Sequence, residues 1–294
     1  MGGTQHRFHH TTREFRMPGR IAIHLNDDTV CERRMDIGLR LAREREAEVV
    51  GVYPSASVAG LQQDENILPQ DIRNSLRKRR DEHREATRTL FLDKAREAGV
   101  RAHWRAPHGD SEDGLTMHAR HCDLLLMSKA DPNDNLSALR PNLPESVVMA
   151  SGRPVLLIPN FGPIDTIGRR ILFCWDQRRE AARAFSDAAP LLRHCQALVV
   201  LEIDRDDKLM RERDIHEDDF SDYCVSLGYP KPRHLLKDSK GYGVGNVILN
   251  TATDTDTDLI VMGAYGHSRM RQWIMGGATS TLLASMTVPV LLAN

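Results

Sequence analysis

The sequence predicts an α/β protein built from two similar halves, each a five-stranded parallel sheet covered by helices. Two observations lead to this prediction. Short apolar segments alternate with helical segments along the chain, and the segments of the second half repeat those of the first. Continuous runs of Val, Ile and Leu are typical of strands buried on both faces. Strands that alternate with helices form parallel sheets with right-handed crossovers.

Ten apolar segments are long enough to be strands, five in each half. Helical sequence lies between them, as at residues 71–98, where Gly99 ends the helix. On this helix Ile72, Leu76, Ala86 and Leu90 share one face, which we expect to pack inward. The predicted strands are residues 21–25, 49–53, 100–104, 124–127 and 155–158, and then 171–175, 197–203, 234–236, 259–262 and 288–292.

The two halves are copies of one unit. The segment CDLLLMS at 122–128 corresponds to TDLIVMG at 257–263, and RPVLLIPN at 153–160 corresponds to VPVLLAN at 288–294. The aspartates of the first pair and the prolines of the second are each 135 positions apart, whereas Ile21 and Ile171 are 150 apart. The second copy is therefore about fifteen residues shorter between its second and fourth strands.

Length and composition limit the classes of protein that fit. With 294 residues the chain has room for two domains, which we place at 17–160 and 168–294 after a disordered tail at 1–16. The formal charge of −1 gives no overall basic field for nucleic acid or a membrane surface. Five cysteines without a C-x-x-C pair indicate reduced thiols, so we expect a cytoplasmic protein.

Glycines follow the fourth strand of the second half at a fixed spacing. Gly263 and Gly266 come directly after this strand, and Gly276 and Gly277 precede the next helical segment. Ligands of parallel sheets bind beyond the carboxyl ends of the strands. The first free amides of a helix attract anions, and a loop without side chains lets a phosphate approach. From spacing alone, a phosphate cradle and a set of tight turns remain equal alternatives.

The spacing Gly263-x-x-Gly266-x9-Gly276 resembles the signature of the universal stress protein family, and DLIVMG before it and VPVLL after it extend the likeness. With the duplication, the resemblance covers nearly the whole chain after about residue 17. It implies two tandem Rossmann-like α/β sandwich domains, similar to adenine nucleotide alpha hydrolases, packed as a pseudo-dimer through their final strands. It also implies a site for ATP, with or without Mg, at Asp176, Met262, Gly263, Tyr265, Gly266, Gly276, Gly277, Ala278 and Thr279.

Two positions of the second half depart from the family pattern. Gly277 stands where the family has Ser or Thr, and Gln177-Arg178 follows Asp176 where relatives often have Gly-Ser. The first half departs from the family pattern at every one of these glycine positions. Its matching positions are Ser128, Asp131, Pro141 and Asn142, so we expect no triphosphate there.

Four other motifs are weaker. DTDTD at 254–258 lacks the glycine and glutamate of a calcium loop and is interpreted as a solvated turn. RKRR at 77–80 is followed by acidic residues, which favours a helix face laced with salt bridges over a nucleic-acid site. GYGVG at 241–245 is a flap over the ligand or only a loop. His267 beside Ser268 carries no catalytic prediction, because neighbours in sequence need not face one another.

These observations lead to one functional prediction with two alternatives. The chain is expected to be a stress-response protein whose second domain binds an adenine nucleotide and whose ligand state tunes contacts with an unknown protein partner. Nucleic acid and membrane are not expected partners, and a homodimer is a further assembly to consider. The alternatives are a slow ATP hydrolase at the same site, which would lack an evident general base, and an interaction scaffold that binds no nucleotide.

Overall fold

The computed structural model describes residues 19–54, 69–129, 141–216, 218–264 and 277–294. The predicted tail at 1–16 lies outside these ranges and stays a prediction. All ten predicted strands form, with ends that shift by up to two residues. They are β1 (Arg20–His24), β2 (Glu48–Val52), β3 (Ala102–Arg105), β4 (Leu124–Ser128), β5 (Val155–Ile158), β6 (Arg170–Cys174), β7 (Ala197–Ile203), β8 (Arg233–Lys237), β9 (Leu259–Gly263) and β10 (Val290–Ala293).

Helices connect these strands, as parallel pairing requires. In the described ranges they are α1 (Cys31–Glu44), α2 (Gln70–Glu97), α3 (Ser111–Ala119), α4 (Leu143–Ser151), α5 (Arg179–Asp187), α6 (Ala189–Leu192), α7 (Asp207–Glu212), α8 (Asp219–Ser226), α9 (Val244–Asp254) and α10 (Gly277–Ser285).

The strands make one ten-stranded sheet in the order β3-β2-β1-β4-β5-β10-β9-β6-β7-β8. Within each half every pairing is parallel, and the first strand of the half lies beside the fourth. The halves join where β10 pairs with β5 in antiparallel register. This is the predicted pseudo-dimer: the two final strands cover each other's edges, which would otherwise be open to aggregation.

The hydrophobic core occupies both faces of the sheet. One face packs against α1, α5, α6 and α8 and the last turns of α2, and the other packs against α3, α4, α9 and α10. The central strands β4, β5, β9 and β10 are almost wholly buried, which explains their continuous apolar sequence. Among the described residues, no helix combines the length and apolar character needed to cross a membrane.

The long helix α2 differs from its predicted packing. Ile72, Ala86 and Leu90 were expected to face the core, but all three are exposed. The core contacts of α2 come from Phe91 and Ala95, near its C-terminal end. An apolar pattern marks one face of a helix without showing how far the sheet extends beneath that face.

Asp258, the last aspartate of DTDTD, is hydrogen-bonded to the segment that connects the two halves. The Asp258 carboxylate accepts hydrogen bonds from the backbone N–H groups of Gly168, Arg169 and Arg170 and from the hydroxyl of Thr166, at 2.5–3.1 Å. The interpretation of this motif as a merely solvated turn was therefore wrong for Asp258. No cluster of three His, Cys, Asp or Glu side chains suited to a metal occurs in the described ranges.

Candidate functional site

The candidate site lies at the carboxyl ends of β6 and β9. These strands are neighbours, with Cys174 opposite Met262, although β7 and β8 come between them in sequence. The chain leaves β6 toward Asp176 and leaves β9 at Gly263, so both residues lie at the same edge of the sheet. In this half the strand order reverses between β6 and β9, and ligands of open α/β sheets bind in the crevice at such a point.

Asp176 presents an accessible carboxylate at this edge. Its side chain is 57% exposed. One oxygen, Oδ1, accepts a hydrogen bond from the backbone N–H of Arg178 at 3.1 Å, and Oδ2 lies 3.8 Å from Arg178 Nε. The turn thus fixes the carboxylate while solvent still reaches it. A ligand hydroxyl can approach once the exposed Arg178 side chain moves aside.

Gln177 follows Asp176 at a position where the family pattern often has glycine, and it adopts a backbone conformation typical of glycine. Its φ is 63°, in the left-handed region that glycine adopts most easily. That conformation costs a non-glycine residue about 1 kcal/mol. The Gln177 side chain donates a hydrogen bond from Nε2 to Glu202 Oε2 at 3.3 Å, and Glu202 is buried at the end of β7. This bond anchors the turn that carries Asp176.

Gly263 is required by the packing of the protein itself. A Cβ at this position would lie 2.5 Å from the backbone N of Ala181 and 2.5 Å from the backbone C of Glu180, in the first turn of α5. The helix therefore approaches the strand end as closely as only glycine allows. Of the two alternatives left open by the spacing, close packing is now established for Gly263. It does not exclude a ligand on the solvent side.

The helix expected to bind phosphate begins where the sequence predicts. Helix α10 starts at Gly277, and Thr279 lies buried in its first turn. Only the backbone conformation is described for Gly277 and Ala278. Of the remaining predicted site residues, Met262 is buried within β9. Tyr265, Gly266 and Gly276 lie outside the described ranges.

In the first half, the place of the Asp176 turn is filled by a buried arginine. Asn26 stands at the position of Asp176, and Arg34 stands where the second half has Ala184. Arg34 has no exposed surface. It donates to the backbone oxygen of His24 at 2.9 Å, to Asp28 Oδ2 at 2.9 Å, and to Asn26 Oδ1. Asn26 Oδ1, the counterpart of the Asp176 carboxylate oxygens, is thus hydrogen-bonded within the protein.

The phosphate side of the first half is also filled internally. Lys129, after β4, forms an ion pair with Glu145, which is buried in the first turn of α4. Pro144 precedes Glu145 and removes one backbone donor from this helix terminus. Among the described residues, Ser128 Oγ and Glu145 Oε2 have no hydrogen-bond partner. The prediction for this side named Pro141, which lies in the turn before α4, and Asp131, which lies outside the described ranges.

A further polar cluster among the described residues was not predicted from the sequence. Ser221 Oγ lies 2.9 Å from His234 Nε2, and His234 Nδ1 lies 3.9 Å from Glu202 Oε1. The order of groups is that of a Ser–His–acid triad. However, Ser221 is only 2% exposed, so its hydroxyl faces the protein interior rather than a substrate. No spacing rule would find this cluster, because its members lie on β7, α8 and β8.

Comparisons with known proteins agree with this fold. Residues 238–294 match the model of the universal stress protein family. A universal stress protein from Archaeoglobus fulgidus DSM 4304 is similar in structure, with a TM-score of 0.72 and 14% identity over 94% of this chain and 96% of that chain. A functionally unknown protein from Pseudomonas aeruginosa PAO1 has a TM-score of 0.61 and 14% identity over 94% and 92%.

A universal stress protein solved in complex with cAMP aligns over 49% of this chain and 99% of its own length, at 16% identity and a TM-score of 0.36. No curated protein sequence matches the chain. At these identities the structural matches establish the fold, and the family model adds the sequence evidence. Residues 238–294 of this chain thus match the universal stress protein family in sequence, and the chain as a whole has the fold of the universal stress protein from Archaeoglobus fulgidus.

Proposed function

We propose that the second half of the chain binds ATP or a related adenine nucleotide, and that the protein is a stress-response binding protein regulated by this ligand. One observation carries the proposal. Asp176 and Gly263 lie at the carboxyl ends of the neighbouring strands β6 and β9, where the strand order reverses, and the matching place in the first half is filled by Arg34, Lys129 and Glu145. The two copies therefore differ at the point where a ligand would enter.

Each group at this edge has a chemical role in the proposal. The Asp176 carboxylate accepts hydrogen bonds from hydroxyl groups at the adenosine end of the ligand. The first backbone N–H groups of α10, at Gly277 and Ala278, favour phosphate because they have no partners within the helix. Thr279 adds a hydroxyl in the same turn. Tyr265, Gly266 and Gly276 belong to the proposed cradle on the resemblance of their spacing, and a magnesium ion would arrive with the nucleotide.

The interaction scaffold without nucleotide remains the second candidate, and one observation favours it. The packing of α5 accounts for Gly263 without any ligand. Purified protein, denatured and analysed for released adenine nucleotide, separates the two candidates. Release of nucleotide supports the binding protein. If none is released and added nucleotide does not bind either, the scaffold is the better account.

The role of Asp176 can be tested with a matched pair of variants. Hydrogen bonds to a charged group contribute about 1.5–3 kcal/mol, and each 1.4 kcal/mol is about tenfold in affinity. We expect Asp176→Ala to weaken ATP binding roughly 10- to 100-fold in calorimetry. Asn26→Ala, at the same place in the first half, should leave the affinity unchanged. Equal effects of the two substitutions would contradict the assignment.

A further inference from the structure

The N-terminal part of α2, residues 70–90, projects from the fold with its described side chains exposed or half-buried. Among its described side chains, the first buried one is Phe91. At 1.5 Å per residue the projecting part is about 30 Å long. Arginines recur along it at intervals of three or four residues, so they lie on one side of the helix over about 22 Å. We call this side the basic helix face, and its members are Arg73, Arg77, Arg80, Arg84 and Arg88.

The positive charge is concentrated in the first turns of this face. Between residues 71 and 80 the sequence has five Lys or Arg residues and one acidic residue, Asp71. Lys78 lies 3.8 Å from Glu82, and further along Arg84 pairs with Asp81 and Arg88 pairs with Glu85, both at 2.9 Å. The predicted salt bridges are therefore present and involve mainly acidic residues from Asp81 onward. Residues 71–80 keep a strong excess of positive charge.

An acidic segment lies at the other end of the molecule. Residues 214–222 contain five Asp or Glu residues and no Lys or Arg. Its aspartates are exposed, and apolar side chains are exposed close to it in sequence, Ile215 at 38%, Tyr223 at 49% and Val225 at 53%. Ile72 and Leu90 of α2 are also exposed, but they lie roughly 120° around the helix from the centre of the basic helix face. A contact made by this face is therefore mainly a contact between charges.

The two regions of one chain are too far apart to meet. Helix α2 packs against β3, at one edge of the sheet, whereas α8, which follows the acidic segment, packs on β6 through Phe220 and contacts β8 through Ser221. Seven strand spacings of about 4.8 Å, or roughly 34 Å, separate β3 from β6. The basic helix face can therefore reach an acidic segment of this kind only on another molecule.

We propose that the basic helix face docks on the acidic segment of a second copy of the chain, reciprocally, about a two-fold axis. The nine residues of the acidic segment, four of them helical, span at most about 20 Å, and the half-surface of a helix about 10 Å wide offers roughly 310 Å² over that length. Two such contacts come to roughly 600 Å² per copy, below the roughly 800 Å² per partner of a standard interface, so we expect a weak and salt-sensitive dimer. Reciprocal contacts also close the assembly, whereas a single head-to-tail contact would continue into a filament. This assembly does not depend on nucleotide binding.

The test is the molar mass of the full chain in solution, measured by light scattering after size-exclusion chromatography. We expect a dimer at 50 mM NaCl and a monomer at 1 M NaCl, because exposed charges are screened at high salt. Arg73→Glu/Arg77→Glu and Asp218→Lys/Asp222→Lys should each be monomeric at low salt. The control Arg96→Glu/Arg101→Glu, which reverses two exposed charges away from the basic helix face, should stay dimeric.

Mixing the two monomeric variants separates a lost interface from a lost fold. Each variant keeps one intact region, and the reversed regions attract each other, so an equimolar mixture should regain the dimer mass. Misfolded variants would not regain it. A monomer under all conditions, or a mixture that stays monomeric, overturns the proposal. So does a monomer that binds a single-stranded oligonucleotide and loses this binding on Arg73→Glu/Arg77→Glu, because the face would then serve nucleic acid.

Discussion

Leu156 of β5 and Leu291 of β10 lie opposite each other in antiparallel register at the centre of the ten-stranded sheet. Neither side chain has exposed surface. The pairs Leu157–Val290 and Val155–Leu292 flank them on either side. Every other strand pairing in the described ranges is parallel, so the two copies are joined along this line. The final strand of each copy is thereby an interior strand of the whole sheet.

Replacing Leu291 by Lys should therefore destabilise the whole chain. The substitution removes a buried leucine, which costs about 2–5 kcal/mol, and adds an unpaired charge to the core. We expect the Tm to fall by more than about 5 °C, given 2–4 °C per kcal/mol for chains of this size. Leu209→Lys, at an exposed position in α7, is the control and should change the Tm little. An unchanged Tm for the Leu291 variant would count against the joined sheet.

The close approach of α5 to β9 predicts that Gly263→Ala is destabilising. The new methyl group would lie 2.5 Å from two backbone atoms, which cannot yield as a flexible side chain could. Overpacking of this kind costs about 1–3 kcal/mol, measured as a shift of the urea midpoint. The control is Ser128→Ala at the matching position, where the Oγ is buried without a partner among the described residues. We expect that change to be neutral or stabilising. A tolerated Gly263→Ala would mean that α5 can move away.

The buried ion pair of the first half predicts a large effect of Arg34→Ala. Both side chains of the Arg34–Asp28 pair are at most 7% exposed. Removing one partner leaves the other charge buried, which costs about 3–5 kcal/mol. The double variant Arg34→Ala/Asp28→Asn should recover part of this loss, because no charge then remains unpaired. Denaturant unfolding of both variants checks this. A double variant less stable than Arg34→Ala would show that Asp28 has another essential partner.

His24 predicts that acid destabilises the protein before the carboxylates titrate. Burial, and then the neighbouring Arg34, lower the pKa of His24 from 6.5 to about 3, against a smaller opposing effect of Asp28. Below pH 6.5 the unfolded chain therefore binds a proton that the folded chain does not. This group contributes a loss of unfolding free energy of up to about 1.4 kcal/mol per pH unit as the pH falls from about 6 to about 4.

The variant His24→Gln, which cannot titrate, isolates this contribution. Its unfolding free energy should depend less on pH between about 6 and 4 than that of the parent, by up to one proton, whatever its stability at pH 7. Denaturant unfolding at several pH values gives both slopes. Identical slopes would mean that His24 takes up its proton in the folded protein as well.

The positions of the strands could be predicted from the sequence because parallel strands that are buried on both faces consist of continuous apolar residues. Their ends shifted because ladder hydrogen bonds extend to polar residues, as at Arg20 and Ser128, which hydropathy does not mark. The projection of α2 was not predictable. Ile72 and Leu90 have the spacing of an inward face, and only the sheet's extent decides that they are exposed.

For the site, the sequence predicted which residues share an edge but not what surrounds them. Asp176 and Gly263 lie at the same edge because the first and fourth strands of a half are neighbours, and the duplication and fold class imply this. The filling of the first half by Arg34 rests on contacts between side chains on different elements. So does the Ser221–His234–Glu202 cluster. Such contacts depend on packing distances, which spacing along the chain does not encode.

The number of nucleotides bound per chain is the most direct measurement of the central claim, that only the second half holds an adenine nucleotide. Titration of the full chain with ATP in a calorimeter should give one site. Gly276→Val, which places a branched side chain in the proposed phosphate path, should abolish the binding heat. Asp131→Ala, at the other copy, should leave it unchanged. Two sites per chain, or binding that survives Gly276→Val, would contradict the account.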